Sequence, residues 1–455
     1  MTGRSKVATF FDTLRTHGVD ATALRTLEFF AYRLRQRGPE GRLAVRLFDW
    51  YYALPRSGSP VAFVGPEDVA GREVSRAALL AGGTDGPLIW RAARPETHPL
   101  HDGLLSELCH AADDRAALET CSTTSYEAPA IYFARFRDAL LFPHWGVVML
   151  DPGRIWGDSA APARWYSPVL REVPGIFRSR GGVCFRPKLA KPTRLVEGAH
   201  LMAANWVYRN YAHWHTDCLP GVVAFEAELR AGKMRLLAPP LSSFHRQSLA
   251  RLQLLEAVDE VAEPVVVCRD LIFPSHLSGS GTRRPSAAVL RVFERLKQTG
   301  PGQQARQAPA LIYVSRDNRL GRRIMANESE LLAALARIGF VSIDPASLGY
   351  DEQIDVFSAA RMIVGPHGAG LANIGFAPSN CVILEIIPRL YLKPWIFHLT
   401  ALLRQRFIYV VALVPDAGRQ RARIGGAIHT HLDFSYCVNV DAVVRAVEGA
   451  LDRST

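Results

Sequence analysis

One stretch of this 455-residue chain has the residue order of an anion site. The apolar residues 362–364 lead into Gly365-Pro366-His367-Gly368-Ala369-Gly370-Leu371, a helix-capable segment runs on to Phe376, and a second apolar run, 381–384, ends at Glu385. A buried parallel strand reads as a continuous apolar run. Glycine lets the backbone turn at positive φ and come close to a ligand. A helix that starts just after such a loop aims its unpaired N–H groups and its positive dipole end forward. Strand, glycine loop and helix start together predict a phosphate-type anion site; a tight strand-to-helix turn without a ligand fits the same pattern. Two other stretches carry chemistry-bearing groups. His213 and Asp217 are four residues apart, so on a helix they share a face, as an acid–base pair would. Ser315 and Arg316 close the apolar run 311–314, where a guanidinium could hold phosphate bidentately.

The elements that must position these residues alternate between strand and helix. Strands are predicted at 234–238, 264–268, 311–316, 340–343 and 407–411, and helices at 243–258, 285–296, 328–338 (capped by Asn327), 350–360 and 441–451. Such alternation implies parallel sheets, and open α/β sheets bind ligands at the carboxyl ends of their strands. Residues 130–134 and 139–142 read as a hairpin with its turn at Arg135 to Asp138, followed by a strand at 146–151. A helix carries part of the aromatic and polar stretch 205–220, and the polar segment 300–307 is the best linker. Residues 1–55 read as helical and 55–115 as irregular. The division that follows is an accessory, partly helical region at 1–120, one Rossmann-like domain with leading hairpins at 121–300, and a second Rossmann-like domain at 301–455.

Hydrophobic residues make up 48% and charged residues 21%, which excludes a globally disordered chain. The formal net charge of +11 favours an anionic partner, either a nucleotide phosphate or an anionic membrane touched peripherally. It does not point to nucleic acid, since no helix-turn-helix, zinc-finger or RNP pattern occurs. The seven cysteines form no C-x-x-C pair, the N-terminus lacks a signal-peptide core and no apolar run reaches about 18 residues. The expected setting is cytoplasmic.

Three stretches, Asn210 to Pro220 with His213 and Asp217 in it, Tyr313-Val314-Ser315-Arg316, and Gly365 to Leu371 followed by Glu385, occur together and in this order. The set resembles glycosyltransferase family 61, over roughly residues 125–455, and within it the bacterial capsular-polysaccharide type. The resemblance implies a GT-B-like α/β fold, with two Rossmann-like domains facing a cleft. It also implies an inverting hexosyl- or pentosyltransferase that takes a nucleotide-sugar donor (a UDP-sugar) and a glycan or glycolipid acceptor. A catalytically inactive nucleotide- or glycan-binding protein on the same fold is the alternative. An inverting transfer needs a base for the acceptor hydroxyl, and Asp217 is preferred, with His213 as the other candidate. It also needs positive groups around the leaving diphosphate. The sequence holds no Asp-x-Asp, so no metal or other cofactor is expected and the protein itself must supply the charge. Arg316, with Ser315 beside it, and the N–H groups of His367, Gly368, Ala369, Gly370 and Leu371 are assigned to the donor. The His367 ring is expected to donate to the diphosphate, and Glu385 to accept the ribose hydroxyls. Asn210, Tyr391 and Lys393 are further candidates for the pocket. The arginines at 319, 322 and 323 read as a solvated basic face, with contact to the donor or an anionic acceptor as the second reading.

Overall fold

The structure, a computed structural model, describes residues 59–83, 86–100, 124–160, 173–179, 182–202, 204–278, 284–298, 308–316, 323–414 and 434–452. The predicted helices of 1–55, the linker 300–307, both predicted domain boundaries and the arginines at 319 and 322 lie outside these residues.

Nine strands build a mixed sheet: β1 (Ala62–Val64), β2 (Leu88–Ala93), β3 (Ile131–Phe142), β4 (Val147–Asp151), β5 (Arg154–Trp156), β6 (Arg194–Met202), β7 (Arg235–Ala238), β8 (Val258–Glu260) and β9 (Val266–Pro274). Their spatial order is β8-β7-β6-β9-β3-β4-β5-β1, with β2 also pairing along β3. The strands β8, β7, β6 and β9 are parallel to one another, while β3 runs antiparallel to β9 and leads an antiparallel meander through β4 and β5. In chain order the parallel part reads third, second, first, fourth. The order therefore reverses between β6 and β9, which is where such sheets open a ligand crevice. Two of these strands, β1 and β2, come from the region expected to stand apart as a partly helical accessory. They join the large sheet because Val64, Leu88 and Ile89 bury their side chains there.

The predicted turn at Arg135 to Asp138 does not exist; those residues continue β3. Arg135 is buried in mid-strand because every part of its guanidinium is held. Asp270 on β9 accepts from Nε at 2.6 Å and also from Nη2, and the carbonyls of Leu79 and Leu80 accept from Nη1, the latter at 2.7 Å. A buried charge is tolerated when it is paired and its donors are satisfied.

Five further strands, β10 (Leu311–Val314), β11 (Val341–Ile343), β12 (Met362–Pro366), β13 (Val382–Pro388) and β14 (Arg406–Ala412), form an all-parallel sheet in the order β11-β10-β12-β13-β14. The order reverses between β10 and β12. Both strands are apolar because helices cover both faces. Asn327 stands at the N-cap of the helix Glu328–Arg337 as expected, but its side chain makes no cap bond and instead brackets Val438, donating to the carbonyl at 2.8 Å and accepting from the N–H at 3.0 Å.

One apolar core runs through both sheets. The helix Ala287–Gln298 packs Phe293 against Phe376, with ring centroids 5.0 Å apart, and against the ring of His215 at 5.9 Å. Gly375 makes this contact possible, since a Cβ there would fall 2.3 Å from the Phe293 ring.

Candidate active site

The loops that leave β6, β9, β10 and β12 at the two reversal points, together with β13 and the segment after it, supply the candidate residues. After β6 the chain reaches Asn210, whose side chain accepts from the N–H groups of Ala212 at 3.0 Å and His213 at 3.4 Å, an N-cap that fixes the start of the next helix. That helix runs through Tyr211–His213, widens to a π turn over Trp214–Cys218 and continues as Leu219–Ala224. The spacing expectation holds: His213 Nδ1 donates to Asp217 Oδ2 at 2.7 Å. Thr216 donates to the same oxygen at 3.1 Å, and Ser278, in the loop after β9, donates to Oδ1. Burial alone would raise the Asp217 carboxyl, but the hydrogen bond and charge of His213, then Ser278, with His276 further off, outweigh it and hold it below the usual carboxylate range. Asp217 is only 6% exposed and sits behind the pocket, while His213, Thr216 and Ser278 line it. With Nδ1 held by Asp217, Nε2 is the ring nitrogen left to a ligand.

The opposite wall is the loop after β12. Its glycines do not turn at positive φ. Gly368 is extended, with φ −178°, and Gly365 lacks a side chain because a Cβ would press within 3.1 Å of Val314 and Leu371. The 3-10 helix Ala369–Phe376 follows, starting two residues earlier than expected. Two of the five N–H groups assigned to a ligand are already bonded: His367 donates to Ile386 at 2.9 Å and Leu371 to the Gly368 carbonyl at 3.1 Å. Leu371 is wholly buried under Gly365 and makes no wall. The N–H groups of Gly368, Ala369 and Gly370 stand at the helix's open end, where no helix carbonyl reaches them.

His367 lines the pocket, but both ring nitrogens are taken. The Trp395 indole N–H, which can only donate, bonds Nε2 at 3.2 Å; the imidazole proton therefore sits on Nδ1 and goes to Glu385 Oε1 at 2.5 Å. The expected hydrogen bond from this ring to a diphosphate is not available in this geometry. Nor does Glu385 reach a ribose. It is fully buried beneath His367, and burial pushes its carboxyl well up against the opposing pull of Arg323. Its part is to orient the histidine.

The two arginines exchange the places expected of them. Arg316 is half-buried behind the loop and donates from Nη1 to the His367 carbonyl at 3.0 Å, fastening the loop. Arg323, expected on a solvated face, lines the pocket with its guanidinium 4.3 Å from the Tyr391 ring centroid. Tyr391 lines the pocket as expected, whereas Lys393 is exposed outside it, 5.9 Å over the same ring. Ser315 turns away, with its hydroxyl and N–H both donating to the Ile343 carbonyl, at 3.2 and 2.8 Å. The pocket thus brings Asn210, His213, Thr216 and Ser278 from the first sheet opposite Arg323, His367, Gly368, Ala369 and Tyr391 from the second, with Pro285, Trp395 and Leu399 as an apolar end. Ser278 and Thr216 were not singled out from the sequence. The position of Ser278 just past a strand that flanks the reversal point is the signal that finds it. Among the described residues, no cluster of three or more His, Cys, Asp or Glu could hold a metal ion.

A histidine paired with an aspartate, facing a glycine loop and an arginine across one pocket, has the groups that proton removal beside an anion requires. Residues 211–384, which include His213, Asp217, Ser278, Arg323 and the glycine loop, match the family Glycosyltransferase 61. A beta-1,2-xylosyltransferase of Oryza sativa subsp. japonica is 25% identical over 268 residues, 53% of this chain and 50% of that protein. A second beta-1,2-xylosyltransferase from the same plant is 28% identical over 26% of this chain and 22% of its own length. An alpha-1,3-arabinosyltransferase, also from rice, is 30% identical over 20% of this chain and 15% of its own length. The chain thus spans half the length of the first of these relatives and less of the others. Together these likenesses support glycosyltransferase family 61.

Proposed function

We propose that this protein is an inverting glycosyltransferase of GT-B type that moves a sugar from a UDP-sugar to a glycan hydroxyl, in the synthesis of a surface polysaccharide. The observation that carries the reading is the pocket walled by His213, with Asp217 bonded behind it, on one side and by Arg323, Gly368 and Ala369 on the other. The acceptor hydroxyl gives its proton to His213 Nε2, and Asp217 stabilises the resulting imidazolium. The acceptor oxygen forms its bond to the anomeric carbon as the bond to the diphosphate breaks. One displacement inverts the configuration. The burial of Asp217 and the occupation of both its oxygens favour His213 over Asp217 as the base. The leaving diphosphate takes its electron pair into a field set by Arg323 and the free N–H groups. Arg316 and Glu385 act one step back, holding the loop and the His367 ring. In this reading the positive field at the diphosphate comes from the protein, and no metal is needed there. Sugars of the size the rice relatives transfer, pentoses, are the first donors to try.

The free thiols Cys218, Cys268, Cys381 and Cys437, among the described residues, favour a reducing, cytoplasmic setting. Among the described residues no helix is long and apolar enough to cross a membrane; the net charge of +11 suits peripheral contact with an anionic membrane. The test is release of UDP from a panel of UDP-pentoses and UDP-hexoses by purified protein, with and without EDTA. Release that persists in chelator supports the reading. Release that stops in EDTA and returns with a divalent cation removes the metal-free site, and nucleotide binding without release converts the protein into a binding module.

A further inference from the structure

Tyr211 and His215 form a second pair four residues apart on the helical segment that carries His213 and Asp217, and they look the other way, across the seam between the two sheets. The Tyr211 hydroxyl donates to Asn373 Oδ1 at 2.5 Å. Asn373 is fully buried, and its Nδ2 donates to the Gly370 carbonyl at 3.2 Å and to Gln353 at 3.0 Å. His215 Nδ1 donates to the Tyr211 carbonyl at 2.7 Å, so its bare Nε2 accepts the Tyr350 hydroxyl at 2.6 Å. A single side chain, Asn373, therefore joins the helix of the acid–base pair to the last residue of the glycine loop.

The seam does not need these bonds to stay closed. Phe293, Phe376 and Gly375 already bury an apolar contact there. Apolar contact is non-directional and tolerates sliding, whereas hydrogen bonds of 2.5 to 3.2 Å at the buried Asn373 allow one register. We propose that Tyr211 and Asn373 are positioning residues that fix the separation of His213 from the N–H groups of Gly368–Gly370, so that base and leaving-group site address the same bond at once. The proposal rests on the glycosyltransferase reading.

Tyr211→Phe removes one oxygen and keeps the ring. Turnover of a UDP-sugar and the Kd for UDP by calorimetry are measured for this variant and the wild type, well below the melting temperature of either. The expected result is a kcat lower by roughly tenfold to a hundredfold, as misplacement of about an ångström produces, with the UDP Kd within roughly twofold of wild type. Unchanged kcat overturns the proposal, and so does a kcat that falls only in step with UDP affinity. Asn373→Ser, which breaks the same link from the other side, is read by the same two outcomes if the first variant does not fold. A wild-type protein that turns over no nucleotide-sugar refutes the glycosyltransferase reading and the proposal with it; an active wild type with an equally active Tyr211→Phe refutes the proposal alone.

Discussion

Replacing Asp217 with asparagine changes one oxygen for an NH2 in a carboxylate that accepts from His213, Thr216 and Ser278. The amide has two ways to sit. With its oxygen toward His213, the NH2 meets Ser278, whose hydroxyl turns to accept, and the imidazole keeps its proton on Nδ1. What is lost is the charge beside the imidazolium, and a charge-assisted bond is worth about 1 to 2 kcal/mol more than a neutral one. With the amide reversed, NH2 faces Nδ1, the proton moves to Nε2 and the base is gone. The first arrangement lowers kcat by roughly tenfold and the second abolishes turnover, so a fall of at least about tenfold is expected. Because Asp217 is buried behind the pocket wall, the UDP Kd should not change. The assay is steady-state UDP release paired with calorimetric UDP binding. Wild-type turnover in Asp217→Asn would refute the pairing argument. Lost UDP binding would show that the carboxylate holds the fold of the pocket instead.

Three other outcomes follow from the same geometry. Arg323→Ala should weaken UDP binding by about 2 to 3 kcal/mol, since it removes the pocket-lining cation; calorimetry that finds wild-type affinity would take Arg323 out of the donor site. Gly375→Ala drives a Cβ to 2.3 Å from the Phe293 ring and should cost about 1 to 3 kcal/mol of stability, read from urea midpoints. His215 is neutral in the fold because burial pushes it down to about 4 from an ordinary value of 6.5. Between these values the unfolded chain holds the extra proton, so stability falls as pH drops from about 6.5 toward 4, by at most about 3 kcal/mol. Chemical denaturation across that range should show the slope, and His215→Gln should reduce it. His245, also pushed down to about 4 by burial, contributes with the same sign.

The second sheet was largely legible in the sequence. Its strands are apolar runs because both faces are covered, and β10, β12, β13 and β14 are found where those runs stand. The first sheet was harder. Its central strand, β6, contains Arg194, Glu197, Gly198 and His200, and its pairing with β9 breaks register between Val196 and Ala199, where Gly198 takes a φ of 83°. An irregularity of this kind erases both the apolar run and the alternation that mark a strand. β9 runs on to Pro274, six residues past the predicted end, and only that extension delivers Ser278 to Asp217. The site pair His213 and Asp217 could be read from spacing alone, because four residues on a helix fix a shared face. The burial of Glu385 could not. A strand-end acid looks the same in sequence whether it meets water or a histidine above it. The choice between Arg316 and Arg323 depended on the chain's course to Arg323, which takes a left-handed φ of 54° that no residue type announces.

The central claim is that one pocket removes a proton from an acceptor and releases a nucleoside diphosphate. It is tested most directly by following UDP release from UDP-xylose in EDTA, with calorimetric UDP binding alongside, for wild type and His213→Ala. A donor panel replaces UDP-xylose if that sugar is not taken. The account predicts release by the wild type, a loss of at least about a hundredfold in His213→Ala, and UDP affinity equal in the two proteins. Release at the wild-type rate by His213→Ala, or a wild type that neither binds UDP nor releases it from any donor, would contradict it.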